Sequence, residues 1–234
     1  MLPRYRCFDY DFAFGHLSSA RASVVARTWR CRPFAQALPA PAHSFATGDG
    51  FTGHLAACQD WFMSLIVVDV EADGPVPALY SMVSFGAVVV EPSLQLAFKA
   101  EVRPVSDRWV PEALAISRIS RDQHLRFEEP GPVMERFERW IGASSKGRPV
   151  LVSDNLAFDW QWVNWYFHAY LGRNPFGWSG RRIGDLYCGM LKDGYATWKH
   201  LRRTPHDHDP VNDARGNAEA LLAMIGMGLK LPVR

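Results

Sequence analysis

The run Ser64-Leu65-Ile66-Val67-Val68-Asp69-Val70-Glu71 sets the strongest limit on what this chain can fold into. Its β-branched centre suits a strand buried on both faces, and it is far too short to cross a membrane. Two acids close the run. Alternation places Asp69 and Glu71 on one side of the chain. Paired carboxylates at the tip of a buried strand repel each other and cost desolvation, and a bound cation removes both penalties. An isolated D-x-E is more often a pair of solvated acids, so other residues must join these two before they make a site.

The pattern downstream predicts a mixed α/β layer fold. Strands are expected over Ser81–Val90 and Leu94–Val102, joined as a hairpin through Glu91-Pro92-Ser93. Helices are expected over Pro111–Ile119 and Pro132–Ile141, each opened by a proline. A short strand follows at Arg148–Val152. A helix capped by Asn155 or Asp154 then runs to about Tyr170 and ends at Gly172-Arg173-Asn174-Pro175. Arg182–Leu186 reads as another short strand. The last helix runs from about Val211 to Ile225, with Ala214, Ala218, Leu221, Leu222 and Ile225 on one face.

Residues 1–62 differ in kind. They hold six Arg, no Lys and four Asp, and proline-rich stretches such as Leu38-Pro39-Ala40-Pro41 interrupt any regular period. A targeting peptide, a small extra domain, or an upstream extension with the functional start at Met63 are the competing readings; the last is favoured. Residues 63–234 are then the functional domain. The four cysteines form no C-x-x-C pair and no zinc spacing, so neither a disulfide framework nor a zinc module is expected, and a reducing cytoplasm is the natural compartment. The net charge of +2 excludes a strongly basic nucleic-acid binder, but a local basic face suffices for a nuclease.

Two further acidic clusters follow Asp69-Val70-Glu71. In Asn155-Leu156-Ala157-Phe158-Asp159-Trp160, Asp159 falls in the first turns of a helix and faces back toward the sheet tip, with Phe158 and Trp160 read as core. In His208-Asp209-Pro210-Val211-Asn212-Asp213, Asp213 opens the last helix and His208 sits on the loop before it. Taken singly, each is a solvated acidic loop or a helix acid favoured by the macrodipole. Taken in order, the three resemble the DEDDh exonucleases, whose pattern is D-x-E, then N-x-x-[FY]-D, then H-x-x-x-x-D. The resemblance covers essentially all of residues 63–234. It implies a ribonuclease-H-like fold with a mixed five-stranded sheet flanked by helices. Asn155–Trp160 and Asn174-Pro175-Phe176-Gly177 look similar to small bacterial exoribonucleases of the mycobacterial, adenylate-preferring type. Asp209 and Pro210 depart from many relatives, which have a small residue at Pro210.

The resemblance implies 3′–5′ hydrolysis to nucleoside 5′-monophosphates. It implies two Mg²⁺ or Mn²⁺ ions, about 4 Å apart, held by Asp69, Glu71, Asp159 and Asp213, with Asp69 bridging. His208 is the expected general base, a role suited to a pKa near neutrality, with His206 its local competitor. Ala72, Asp73, Gly74, Tyr80 and Met82 are expected to line the terminal-nucleotide pocket. Tyr80 and Met82 fit the hairpin core equally well. Arg181-Arg182 and Lys199–Arg203 are basic runs that could meet phosphates, or could simply be solvated. Single-stranded RNA is the expected substrate, with DNA on the same site or a catalytically silent binding module as alternatives. The resemblance also implies a homodimer, and no membrane association is expected.

Overall fold

The computed structural model describes residues 63–231, so the expectations for residues 1–62 lie outside the described residues. Three strands come first: β1 (Met63–Ala72), β2 (Met82–Val89) and β3 (Ala97–Glu101). Helices α1 (Pro111–Ile116), α2 (Arg121–His124) and α3 (Pro130–Ser144) lead to β4 (Arg148–Ser153). Then follow α4 (Leu156–Leu171), β5 (Arg181–Arg182), α5 (Ile183–Leu191) and α6 (Pro210–Gly226). The sheet has the order β3-β2-β1-β4-β5. The first three strands are antiparallel, and β4 and β5 run parallel to β1 and β4. This is the mixed α/β fold that the sequence pattern predicts, with the five-stranded sheet flanked by helices that the resemblance implies.

Strand β1 is central because both of its faces are apolar. Ile66, Val68 and Val70 pack with Phe137 of α3 and Trp162, Tyr166 and Phe167 of α4. Leu65 and Val67 pack with Ile183 and Tyr187 of α5 and Ala214, Ala218 and Leu221 of α6. Each fully buried large side chain here contributes roughly 1.5–3 kcal/mol of transfer free energy. The same alternation that splits the core also places Asp69 and Glu71 on the α6 side of the strand.

One close approach sets the position of α6. Gly86 of β2 pairs directly with Asp69, and a Cβ on it would overlap the Pro210 backbone. The N-terminus of α6 therefore rests on bare strand backbone beside Asp69. Asp209 caps this helix: its Oδ1 accepts from the Val211 and Asn212 N–H groups at 3.0 and 3.3 Å. Pro210 fills the first helical position, where no N–H is needed. The two residues that depart from the family pattern thus build the start of α6.

Several expected boundaries are corrected. The strand expected at Arg182–Leu186 is only Arg181–Arg182, and α5 takes the rest; Arg182 pairs with Asp185 at 2.7 Å within the first turn. The strand expected from Leu94 starts at Ala97, because Leu94 adopts a left-handed φ of 51° and ends the turn. The helix expected to Ile119 ends at Ile116, and a separate short helix from Arg121, opened by a Ser120–Gln123 capping box, follows it. The expected helix over Pro132–Ile141 is longer, starting at Pro130. Asn155 holds the cap position of α4 without a side-chain cap bond, and Asp154 instead pairs with Lys199 at 3.0 Å. On α6 the buried face includes Gly216, Asn217 and Met224, and Ile225 lies outside it.

Candidate active site

The site lies at the carboxyl ends of the parallel strands β1 and β4, where open α/β sheets bind ligands. Asp69 and Glu71 leave β1 on the α6 side and meet Asp213, which the start of α6 carries to them. One carboxylate oxygen from each of the three lies within 4.8 Å of the others. Asp159 comes from the opposite layer. Its Oδ1 accepts from the Val70 N–H at 3.0 Å, between Asp69 and Glu71, and its Oδ2 accepts from the Ser153 hydroxyl at the end of β4. Four carboxylates from three elements thus converge on one strand tip.

Burial and mutual repulsion both act on these carboxylates. Burial, then Asp159, Asp213 and Glu71, hold the Asp69 carboxyl well above the usual carboxylate range. Burial and then Asp213 push Glu71 up to about 7. Burial raises Asp159 to about 7 against the lowering hydrogen bonds from Ser153 and Val70. A hard divalent cation bound by oxygen ligands would stabilise the ionised forms of all of them. The donor set therefore fits a hard divalent cation, which the converged oxygens of Asp69, Glu71 and Asp213 could hold, with Asp159 adjoining them.

Two histidines overlook this cluster, with ring centroids 4.4 Å apart. His208 Nδ1 lies 3.4 Å from Glu71 Oε1. Its backbone φ is 62°, a left-handed conformation that histidine visits more readily than most residues. Asp213 holds it there by accepting the His208 N–H on Oδ2 at 3.1 Å. His206 Nδ1 lies 2.7 Å from the same Oδ2. The structure thus gives both histidines a carboxylate, Glu71 for His208 and Asp213 for His206.

The residues expected to line a nucleotide pocket behave differently. Met82 is fully buried in the core, as its alternative reading required. Asp73 is fully buried too; its carboxylate accepts from the Ser81 N–H at 2.5 Å and from Arg121 at 2.9 Å. Both side chains are enclosed by the fold. Ala72 and Gly74 are buried. Tyr80 is half-buried, packed over Gly74 and against the core. The basic runs are mostly paired within the chain: Lys199 with Asp154, Arg202 with Asp213 at 2.9 Å and Arg203 with Glu219 at 3.8 Å. Arg202 was grouped with surface arginines by its sequence neighbourhood. Only Gly216, one turn beyond Asp213, hinted at a slot for it.

No family model matches the chain. A curated relative, the 3′-5′ DNA exonuclease Cap18 of Escherichia coli, is 38% identical over 168 residues, spanning 66% of this chain and 87% of the relative. Among solved structures, the nuclease domain of 3′hExo, a DEDDh family member bound to rAMP, superposes with a TM-score of 0.59 at 17% identity, covering 73% of this chain and 96% of that one. Exonuclease I of E. coli in complex with a dA16 oligonucleotide gives 0.55 at 18% identity, covering 70% of this chain and 41% of that one. With the ordered carboxylates at the strand tip, these likenesses make the chain a member of the DEDDh family of 3′–5′ exonucleases.

Proposed function

We propose that the chain shortens single-stranded DNA from its 3′ end by hydrolysis. Asp69, Glu71, Asp159 and Asp213 would hold two divalent cations, and His208 would act as general base. The observation that carries this reading is the convergence of Asp69, Glu71 and Asp213 oxygens within 4.8 Å, with His208 3.4 Å from Glu71. Bound cations would supply Lewis-acid stabilisation of charge on the phosphate and leaving oxygen. The chain's own groups do the rest. Glu71 orients the His208 ring through Nδ1, which leaves Nε2 to accept the proton of the attacking water. The Asp213 carboxylate fixes the backbone of His208, so base and ligand move together.

The sequence favoured RNA; the relative at 38% identity, a DNA exonuclease by name, favours DNA. The RNA reading rests on the likeness of residues 155–160 and 174–177 to small bacterial exoribonucleases. In the fold Asn174 bonds Asn164 and the Phe176 N–H, and Phe176 is fully buried. That likeness therefore supports shared packing more than a shared substrate. Matched 5′-labelled DNA and RNA oligomers with Mn²⁺ or Mg²⁺ test the choice. DNA should shorten stepwise from the 3′ end with release of 5′-monophosphates. Faster RNA digestion overturns the substrate assignment, and equal activity in Asp69→Asn overturns the mechanism.

Residues 63–234 are proposed as the whole nuclease domain, so a chain starting at Met63 should keep full activity. A homodimer is proposed from the family resemblance and is checked by light scattering. No helix among the described residues is long and apolar enough to cross a membrane.

A further inference from the structure

Arg202 reaches the carboxylate cluster from inside the protein. Its side chain is 8% exposed, Asp213 is fully buried, and Nη2 donates to Asp213 Oδ1 at 2.9 Å. Asp213 Oδ1 also receives the Asp207 N–H at 3.3 Å, while Oδ2 faces His206 and the His208 N–H. The two oxygens are thus divided: one is turned to the guanidinium, the other to the histidine side of the site.

The helix is built to admit this arginine. A Cβ on Gly216 would stand 2.6 Å from Arg202 Nε and 2.8 Å from both Nη2 and the Thr204 carbonyl oxygen. One turn later, Glu219 accepts the Arg203 and Thr204 N–H groups at 2.8 Å each and the Thr204 hydroxyl at 3.0 Å. Positions 213, 216 and 219 of one helical stripe therefore take up residues 202–204 as a strap, with Arg202 as its inner point.

We propose that Arg202 is the positioning residue for the metal ligand Asp213, seated in the slot that Gly216 leaves open. This rests on the metal-site reading above. Two effects of losing it oppose each other. Removing a positive charge favours a nearby cation, while removing a buried partner frees Asp213 to turn. With Arg202 8% exposed and Asp213 fully buried, losing the guanidinium strips a buried carboxylate oxygen of its charged donor, so placement outweighs charge.

Calorimetric titration of the full chain with Mn²⁺ alone, without nucleic acid, tests the assignment. Arg202→Met should raise the Mn²⁺ dissociation constant about 10- to 100-fold. Arg202→Lys keeps the charge but not the planar fork and should fall between. Gly216→Ala installs the better helix former, yet should weaken Mn²⁺ binding in the same direction by expelling Arg202. Arg203→Ala, on the outer face of the same strap, should bind as the wild type does. In steady-state digestion kcat should fall while KM for the oligonucleotide stays within about twofold. A purely structural strap predicts a lower Tm in chelator with unchanged Mn²⁺ affinity, and that result overturns the proposal. Should Arg202→Met not fold, Arg202→Lys and Gly216→Ala decide the question, and wild-type affinity in both refutes it. A wild type that binds no Mn²⁺ overturns the metal-site reading itself.

Discussion

Asp69 and Glu71 leave β1 toward other carboxylates, whereas Asp73, two residues beyond Glu71, is enclosed by cationic and neutral donors. Asp73 accepts from Arg121 and the Ser81 N–H, and His124 lies 3.7 Å away, fully buried. The ladder shifts register between Glu71 and Ala72, so a strict alternation that would have kept Asp73 with the other two is broken. The same residue type on one stretch of chain thus meets opposite fates. Asp73 carries its counter-charge within the fold and ties the exit of β1 to α2. Asp69 and Glu71 instead face other carboxylates, Asp159 and Asp213 beside Asp69 and Asp213 beside Glu71, with the His208 imidazole 3.4 Å from Glu71. A buried acid with a built-in cation is structural; a buried acid facing other acids is poised for chemistry.

Paired Asp→Asn changes should separate the two regions by opposite signs. Asp69→Asn should lower kcat on the order of a thousandfold, about 4 kcal/mol of transition-state stabilisation. Its chelator-treated form should be at least as stable as wild type, since one repelling charge is gone. Asp73→Asn should cost about 3 kcal/mol of folding stability by leaving Arg121 unpaired, with kcat per folded molecule within a fewfold of wild type. Urea melts in chelator and single-turnover digestion read the two effects. A catalytic loss in Asp73→Asn equal to that in Asp69→Asn would erase the distinction.

Metal addition sharpens the same contrast at a smaller scale. Mn²⁺ at about 100 times its dissociation constant should stabilise wild type by about 2.7 kcal/mol. Asp73→Asn should show the same increment on its lower baseline, and Asp69→Asn most of its loss. Thermal melts with and without the ion check this, and an increment retained in Asp69→Asn would remove that residue from the ligand set.

How much of this was legible from the residues follows from the range of each interaction. Strand β1 and its acids were readable because a β-branched run and its alternation are local. The order of Asp69, Glu71, Asp159, His208 and Asp213 carried the family assignment. The capping box at Ser120 was also local and was overlooked. Helix α5 was misread because its short apolar stretch fits either period. The partners of Asp73 and Asp213 were not readable: Arg121 lies 48 positions from Asp73, and Arg202 is recognisable as buried only once α6 has folded over it. Gly86 is likewise a plain strand glycine until Pro210 rests on it.

The smallest effect, the pH slope of stability, has opposite signs at His124 and at Glu71. Burial lowers His124 from the usual 6.5 to about 4, and its neutral ring accepts from Arg121 on Nδ1 and donates to the Met82 carbonyl from Nε2. The unfolded chain therefore binds the extra proton between pH 6.5 and 4. This contribution is complete above 6.5 and is lost as pH falls toward 4. Glu71 runs the other way. Its folded value of about 7 exceeds the usual 4.5, so its contribution is complete below 4.5 and is lost as pH rises through 7. Each amounts to about 1 kcal/mol between pH 5.5 and 6.5. Asp159 and Asp69 add to the side of Glu71, so the chelated protein should lose stability from pH 5.5 to 6.5. Saturating Mn²⁺ keeps the strand-tip carboxylates ionised and should shrink that loss, leaving the rise from His124 opposed by Asp73, whose carboxyl burial holds above its usual range. In His124→Gln with Mn²⁺ the rise should shrink by about 1 kcal/mol. Urea midpoints at the two pH values, in chelator and in Mn²⁺, give all of these signs. A slope that Mn²⁺ leaves unchanged would mean that the strand-tip carboxylates are not where the cation binds.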